Sequence, residues 1–256
     1  MKNNESLRLQ LVEESSTLAM AALAREYKAK GVDVISLSLG EPDFKTPTNI
    51  CEGAKEAIDS GKYFSYPPVP GYLDLREAIS EKFKNENGLN YSPSEIIVSN
   101  GVKHSITNVM FSILNPGDEV IVFAPFWVSY SAIITLADGI PKYINTTIEN
   151  DFKPTPKQLE EAITKNTKAI IFSSPCNPTG TVFTKEDLEG YRNILAKNPE
   201  IIVISDEIYE HINFTEEHTS IGSLEGMNDR TITMNGFSKG FAMTGWRLGY
   251  IGAPAK

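Results

Sequence analysis

The sequence predicts an α/β domain built on a mostly parallel sheet. Amphipathic stretches that stop at glycine alternate with short apolar runs. Those runs are continuous, as strands are when helices cover both of their faces. A polar or aromatic group follows each of five runs, at the strand ends where open α/β sheets bind ligands.

In chain order, residues 15–30 read as an amphipathic helix stopped by Gly31, 48–60 as one stopped by Gly61, and 72–87 as one stopped by Gly88. The run at 96–98 is the first strand. Ser99-Asn100-Gly101-Val102-Lys103 follows it and opens a helix. The run at 120–123 leads into Ala124-Pro125-Phe126-Trp127, and that at 169–172 into Ser173-Ser174-Pro175-Cys176-Asn177-Pro178-Thr179-Gly180. Thr184 opens a further helix, with Asp187 as its capping-box partner. The run at 201–204 precedes Ser205-Asp206-Glu207-Ile208-Tyr209, and that at 231–234 precedes Lys239. If the five strands are parallel, these elements converge on one crevice.

The bulk properties exclude several classes. A length of 256 residues suits one large domain, or one domain with part of a second. A net charge of −9, without a basic stripe interleaved with aromatics, argues against nucleic acid. No apolar run approaches a membrane span, and the N-terminus lacks the apolar core of a secretory signal. Cys51 and Cys176 show no disulfide or metal spacing, so the expected compartment is the cytoplasm and no metal is expected.

Within this frame each element has a bland and a chemical reading. Lys239 sits among small residues, with Arg247 eight positions on. A lysine that condenses with an aldehyde needs its charge suppressed by burial or cationic neighbours, and an arginine can fork onto a phosphate. Gly101-Val102-Lys103 is either a plain turn or a phosphate seat at a helix N-terminus. Trp127 is a packing residue or a platform for a flat ligand. Asn177, in Asn-Pro-Thr-Gly, is a turn residue or a donor to a phenolate oxygen. Asp206, directly after apolar residues, caps a helix or meets a protonated ring nitrogen. Tyr209 lies on the same side as Asp206 if the chain turns helically there; otherwise it packs in the core. His104 is expected to pack rather than catalyse, and His211 and His218 lack zinc spacing. Cys176 lies close to this set through Asn177 and receives no role.

Aldehyde, phosphate, phenol-type oxygen, basic ring nitrogen and flat face together describe pyridoxal 5'-phosphate. The stretch from Gly236-Phe237-Ser238-Lys239 to Gly245-Trp246-Arg247-Leu248-Gly249 resembles the lysine signature of the class I aminotransferases, which are fold type I pyridoxal-phosphate enzymes. Residues 36–44, Tyr66-Pro67-Pro68-Val69-Pro70-Gly71, Asn177-Pro178-Thr179-Gly180 and Ser205-Asp206-Glu207-Ile208-Tyr209 resemble further blocks of that family in the same order. The resemblance is nearest to the bacterial-type aspartate aminotransferase subgroup and runs over essentially the whole chain.

The resemblance implies a three-layer α/β/α fold with a mostly parallel mixed sheet. It implies residues 1–44 as an N-terminal arm and small-domain segment, and 45–256 as the cofactor-binding large domain. Lys239 would form the Schiff base and shuttle the proton. Asp206 would pair with the pyridine nitrogen, Asn177 and Tyr209 with the phenolate oxygen, and Trp127 would stack on the ring. Gly101, Val102, Lys103 and Arg247 would hold the phosphate. Tyr66 would reach the phosphate in the neighbouring subunit of a homodimer. Gly40, Trp127 and Asn177 would contact substrate. The implied reaction moves an amino group between an L-amino acid, aspartate or a related one, and a 2-oxo acid.

A β-elimination lyase or decarboxylase on the same scaffold, an inactive cofactor-binding fragment and a non-catalytic ligand sensor are the alternatives. Two departures stand out. Gly236 occupies the place where many relatives carry a phosphate-contacting serine. The chain stops at Pro254-Ala255-Lys256, short of the C-terminal small domain and its carboxylate-binding arginine, so a C-terminally truncated fragment is expected, with exposed apolar surface.

Overall fold

The computed structural model describes residues 5–215 and 217–255. Among these, α1 (Leu7–Gln10), α2 (Ser16–Ala29), α3 (Thr48–Asp59) and α4 (Leu73–Asn87) precede the first strand. The remainder runs β1 (Ile96–Ser99), α5 (Val102–Ile113), β2 (Glu119–Ala124), α6 (Ser129–Leu136), β3 (Ile140–Asn145), α7 (Pro156–Ala162), β4 (Thr167–Ser173), α8 (Lys185–Leu195), β5 (Ile202–Asp206), β6 (Thr231–Gly236) and β7 (Gly249–Gly252). The anticipated helices are present. α4 ends on Gly88, whose φ of 67° is left-handed. α8 starts with the Thr184–Asp187 capping box.

The strands form one sheet in the order β1-β7-β6-β5-β4-β2-β3. β2, β3, β4, β5 and β6 pair in parallel, while β7 is antiparallel to both of its neighbours. β1 therefore points the same way as the parallel set. The five strand ends anticipated to converge all lie at one edge of the sheet.

The continuity of the apolar runs follows from the layering. Ile121, Phe123, Ile170, Phe172 and Val203 bury one sheet face against α7 and α8, with Phe183 between them. Val120, Val122, Ala169, Ile171, Ile204, Met234 and Ile251 bury the other face against α5 and α6. α4 covers β1 and β7 through Ile79, Phe83, Ile96 and Tyr250. Alternate residues of one strand thus enter two cores, which leaves no polar side to the pattern.

β3 and β7 carry no such run. β3 is an edge strand, largely exposed, and β7 is four residues flanked by glycine. Before the sheet, α2 and the segment to residue 39 leave Leu18, Met20, Leu23, Ile35 and Leu37 exposed, Leu37 at 92%. No helix among the described residues is long and apolar enough to cross a membrane.

Candidate active site

A cleft of about 890 Å³ opens at the carboxyl edge of the sheet. Gly40, Val102, Lys103, Trp127, Asn177, Asp206, Tyr209, Lys239 and Arg247 all line it. Gly101 lies immediately behind, against the Arg247 guanidinium. Tyr66 is not among the lining residues; it is fully exposed at 102%.

Asp206 ends β5 and is 3% exposed. Its neighbours along the strand alternate across the sheet, so Asp206 lies on the α5–α6 face and Ser205 and Glu207 on the opposite one. The Tyr130 hydroxyl donates to Asp206 Oδ2 at 2.7 Å, and the Ile208 amide donates to Oδ1 at 3.3 Å. The carboxylate sits in a turn rather than capping a helix. No cationic side chain among the described residues pairs with it. Burial pushes its pKa from 3.8 up to about 6, against the lowering effect of the Tyr130 and Ile208 bonds.

The turn after β5 brings Tyr209 round beside Asp206, as a helical turn at this point would. The Glu210 amide donates to the Glu207 carbonyl at 3.0 Å, so side chains three apart share a side. Asn177 Nδ2 donates to the Tyr209 hydroxyl at 3.4 Å, joining the turn after β4 to the turn after β5. Burial raises the Tyr209 pKa, helped by the Asp206 charge.

Lys239 Nζ donates to the Gly40 carbonyl at 2.6 Å and lies 5.7 Å from the Tyr209 ring centre. Its pKa is lowered, chiefly by burial, with Arg247 adding to the shift and Glu41 opposing it. Glu41 accepts a hydrogen bond from the Thr244 hydroxyl at 3.1 Å. The shift runs in the direction a reactive lysine requires, and burial and a cationic neighbour are the means.

The opposite end of the cleft is built for an anion. Gly101 (φ 85°) precedes α5, and no side chain caps that helix. Its first amides and its dipole face the cleft. A Cβ at Gly101 would lie 2.3 Å from Arg247 Nη2, so the absence of a side chain lets the guanidinium reach the turn. Lys103 Nζ lies 4.8 Å over the Trp127 ring, and its pKa is lowered by burial and then by Arg247. Gly236 and Gly249 pair across β6 and β7. A Cβ at Gly236 would fall 3.0 Å from Gly249 Cα, so the place that carries serine in many relatives is here closed by strand approach.

One histidine differs from expectation, and another is placed by the fold alone. His104 is exposed rather than packed, and its Nδ1 accepts the Asn100 amide at 3.2 Å, bracing the anion turn. His218 has no spacing signal, yet the fold gathers it with Glu207 and Glu210 behind the cleft. Tyr130, the donor to Asp206, was not anticipated. It sits inside an apolar stretch, where a tyrosine reads as core.

Comparison with known proteins bears on the whole arrangement. The sequence model of the family "Aminotransferase class I and II" matches residues 32–256. The bifunctional aspartate aminotransferase and glutamate/aspartate-prephenate aminotransferase of Petunia hybrida is 49% identical over 97% of the chain and 52% of its own length. The aspartate/prephenate aminotransferase of Cereibacter sphaeroides is 47% identical over 96% of the chain and 62% of its own length. Among solved structures, aspartate aminotransferase from Thermus thermophilus with maleate superposes with a TM-score of 0.94 at 44% identity, over 98% of this chain and 65% of that one. The chain therefore spans between about half and just under two thirds of these relatives' lengths.

Proposed function

The chain belongs to the class I and II aminotransferase family, and on that premise we propose that its cleft binds pyridoxal 5'-phosphate and serves amino-group transfer. The donor is an L-amino acid, aspartate or a related one, and the acceptor a 2-oxo acid. The observation that carries this reading is Asp206. A carboxylate at 3% exposure has hydroxyl and amide donors but no cation, and its raised pKa marks an incomplete ion pair. A protonated ring nitrogen completes it.

The rest of the cleft fits the same group. The uncapped α5 N-terminus, Arg247 and Lys103 suit the phosphate, and the Asn177–Tyr209 pair offers donors to a phenolate oxygen. When bound, the cofactor supplies an aldehyde that captures amines and a ring that accepts electrons from the substrate Cα.

This chain's own residues supply the remainder. Lys239 Nζ, its pKa lowered, would hold the cofactor through its aldehyde carbon and, once the substrate amine has displaced it there, would carry the proton lost from the substrate Cα. Asp206 would hold the ring nitrogen protonated. Tyr209 and Asn177 would donate to the phenolate oxygen, and Trp127 would pack on the ring. Gly40, Trp127 and Asn177 face the substrate. The named activities of the Petunia and Cereibacter relatives, and the maleate in the Thermus structure, support a dicarboxylic substrate.

We further propose that residues 45–256 form the cofactor-binding large domain and residues 1–44 an arm that belongs with a small domain. The protein acts as a cytoplasmic homodimer in which Tyr66 reaches the partner's phosphate. The full exposure of Tyr66 and the two free cysteines support these readings.

An absorbance spectrum with added cofactor tests the proposal. A visible band that disappears in Lys239→Ala is expected, together with glutamate formation from aspartate and 2-oxoglutarate. Absence of a Lys239-dependent band sinks the cofactor reading. Pyruvate and ammonia from a donor with a β leaving group such as serine, without a new amino acid from 2-oxoglutarate, sink the transfer reading.

A further inference from the structure

Behind Asp206, on the far face of the sheet, lies a buried polar cluster that the proposed chemistry does not use. Glu207 is 1% exposed and Glu210 8%. Glu207 accepts from Ser205 at 2.9 Å, from Ser220 at 2.6 Å and from His218 Nε2 at 2.9 Å. Glu210 accepts from Asn87 at 2.7 Å, from Asn235 at 2.7 Å and from Lys82. His211 Nε2 stands 3.2 Å from Glu210.

The cluster and the cleft share one turn. Asp206 and Tyr209 face the cleft, while Glu207 and Glu210, one residue on from each, face the cluster. The Glu207 carboxylate is thus anchored on the same turn whose backbone carries Asp206 and Tyr209. Past this turn Ile212 and Phe214 still line the cleft, and His218 lies against the Glu207 carboxylate. Glu207 thus joins the turn to His218 and Ser220.

Among the described residues His218 holds that junction by a single polar contact, because its Nδ1 is buried without a partner there and only Nε2 is bonded. Burial works to lower the His218 pKa, but the bond to Glu207 and the charges of Glu207 and Glu210 raise it above its ordinary value. Lys82 already occupies the cationic place beside Glu210, so the cluster is a filled network rather than a metal site.

We propose that His218 is a positioning residue for the cleft: through Glu207 it fixes the turn that presents Asp206 and Tyr209 to the cofactor. This rests on the cofactor reading given above, and its effect reaches the reacting atoms by way of Tyr209.

The test is a double-mutant cycle on the full chain loaded with cofactor. Parent, His218→Leu, Tyr209→Phe and the double variant are compared by the pH midpoint of the Lys239-dependent band. His218→Leu is expected to raise the midpoint by about one pH unit, the size of one hydrogen bond to a charged oxygen. In the Tyr209→Phe background the same substitution should shift it by less than half as much. His218→Gln, which keeps a donor, should return the midpoint to near the parent value.

An unmoved midpoint in His218→Leu, or an equal shift with and without the Tyr209 hydroxyl, overturns the proposal. Should His218→Leu not fold, Ser220→Ala removes a neutral donor to the same carboxylate and should move the midpoint in the same direction by less. An unmoved midpoint there overturns the proposal equally. A parent without the band sinks the cofactor reading instead. Amide hydrogen exchange then decides the positioning claim alone: faster exchange over residues 207–212 in the variant supports it, and unchanged exchange overturns it.

Discussion

Replacing Asp206 with asparagine should stabilise the cofactor-free chain and weaken its grip on pyridoxal phosphate. The carboxyl titrates at about 6 instead of 3.8 because it is buried without a cation. A difference of about 2 pK units makes its ionised form cost about 3 kcal/mol at neutral pH. Between pH 3.8 and 6 the folded chain holds a proton that the unfolded chain releases. The penalty is therefore absent below that window, grows through it and is complete above it.

Asparagine removes the charge but turns one acceptor into a donor, disturbing either the Tyr130 or the Ile208 bond at about 1 kcal/mol. The net expectation is a gain of about 2 kcal/mol at pH 7.5 and a loss of up to about 1 kcal/mol at pH 4. Urea unfolding of the cofactor-free chain at the two pH values measures it. Cofactor titration by fluorescence should show affinity about 10- to 100-fold lower, the range for one charge-assisted contact. Equal urea midpoints for parent and variant at pH 7.5, or parent-like cofactor affinity, refute the reasoning.

Tyr130→Phe deletes a bond that lowers the Asp206 pKa. The pH below which cofactor binding fails should therefore move upward, as read by titrations from pH 5 to 8. Gly249→Ala places a Cβ 2.6 Å from the Val102 amide nitrogen, which is backbone and cannot step aside cheaply. The anion turn must shift, with a loss of about 1–3 kcal/mol in stability and weaker cofactor binding by calorimetry. Arg230 donates to the carbonyls of Leu195, Asn198 and Ile201 beyond the end of α8. Arg230→Ala should lower stability by about 2–4 kcal/mol in urea while leaving cofactor affinity in the folded chain unchanged.

What the sequence made legible was decided by burial on both sides. β2, β4 and β5 send alternate side chains into two cores, so their apolar runs stand out against the helices. β3 contains Pro141 and Lys142 and lies at an exposed edge, which removes that signal. β7 is too short to register within a glycine-rich loop. α6 reads Ser-Tyr-Ser-Ala-Ile-Ile-Thr-Leu, an apolar stretch without helical periodicity. In the cleft, Lys239, Asp206, Asn177 and Tyr209 were visible because each follows a strand whose direction the fold then fixed. Tyr130 was not, since only the crossing of α6 over β5 brings its hydroxyl to Asp206. The Glu207–His218 cluster was equally hidden, because Lys82 and Asn87 reach it from a helix more than a hundred residues earlier.

The antiparallel strand β7 also dictates when this protein can become itself. Among the described residues β1 joins the sheet through β7 alone, so β1 finds its sheet partner only when chain made roughly 150 residues later arrives. During synthesis, β2 to β6 can pair as each emerges, while the anion turn waits for Arg247 and Gly249 to be delivered beside it. The phosphate seat is thus a late-closing contact between distant parts of the chain. A nascent chain halted after β6 should carry Asp206 and Tyr209 in a formed sheet and still have no hold on phosphate. Cofactor capture then follows the arrival of β7, and ligand binding stabilises the seam that β7 closes.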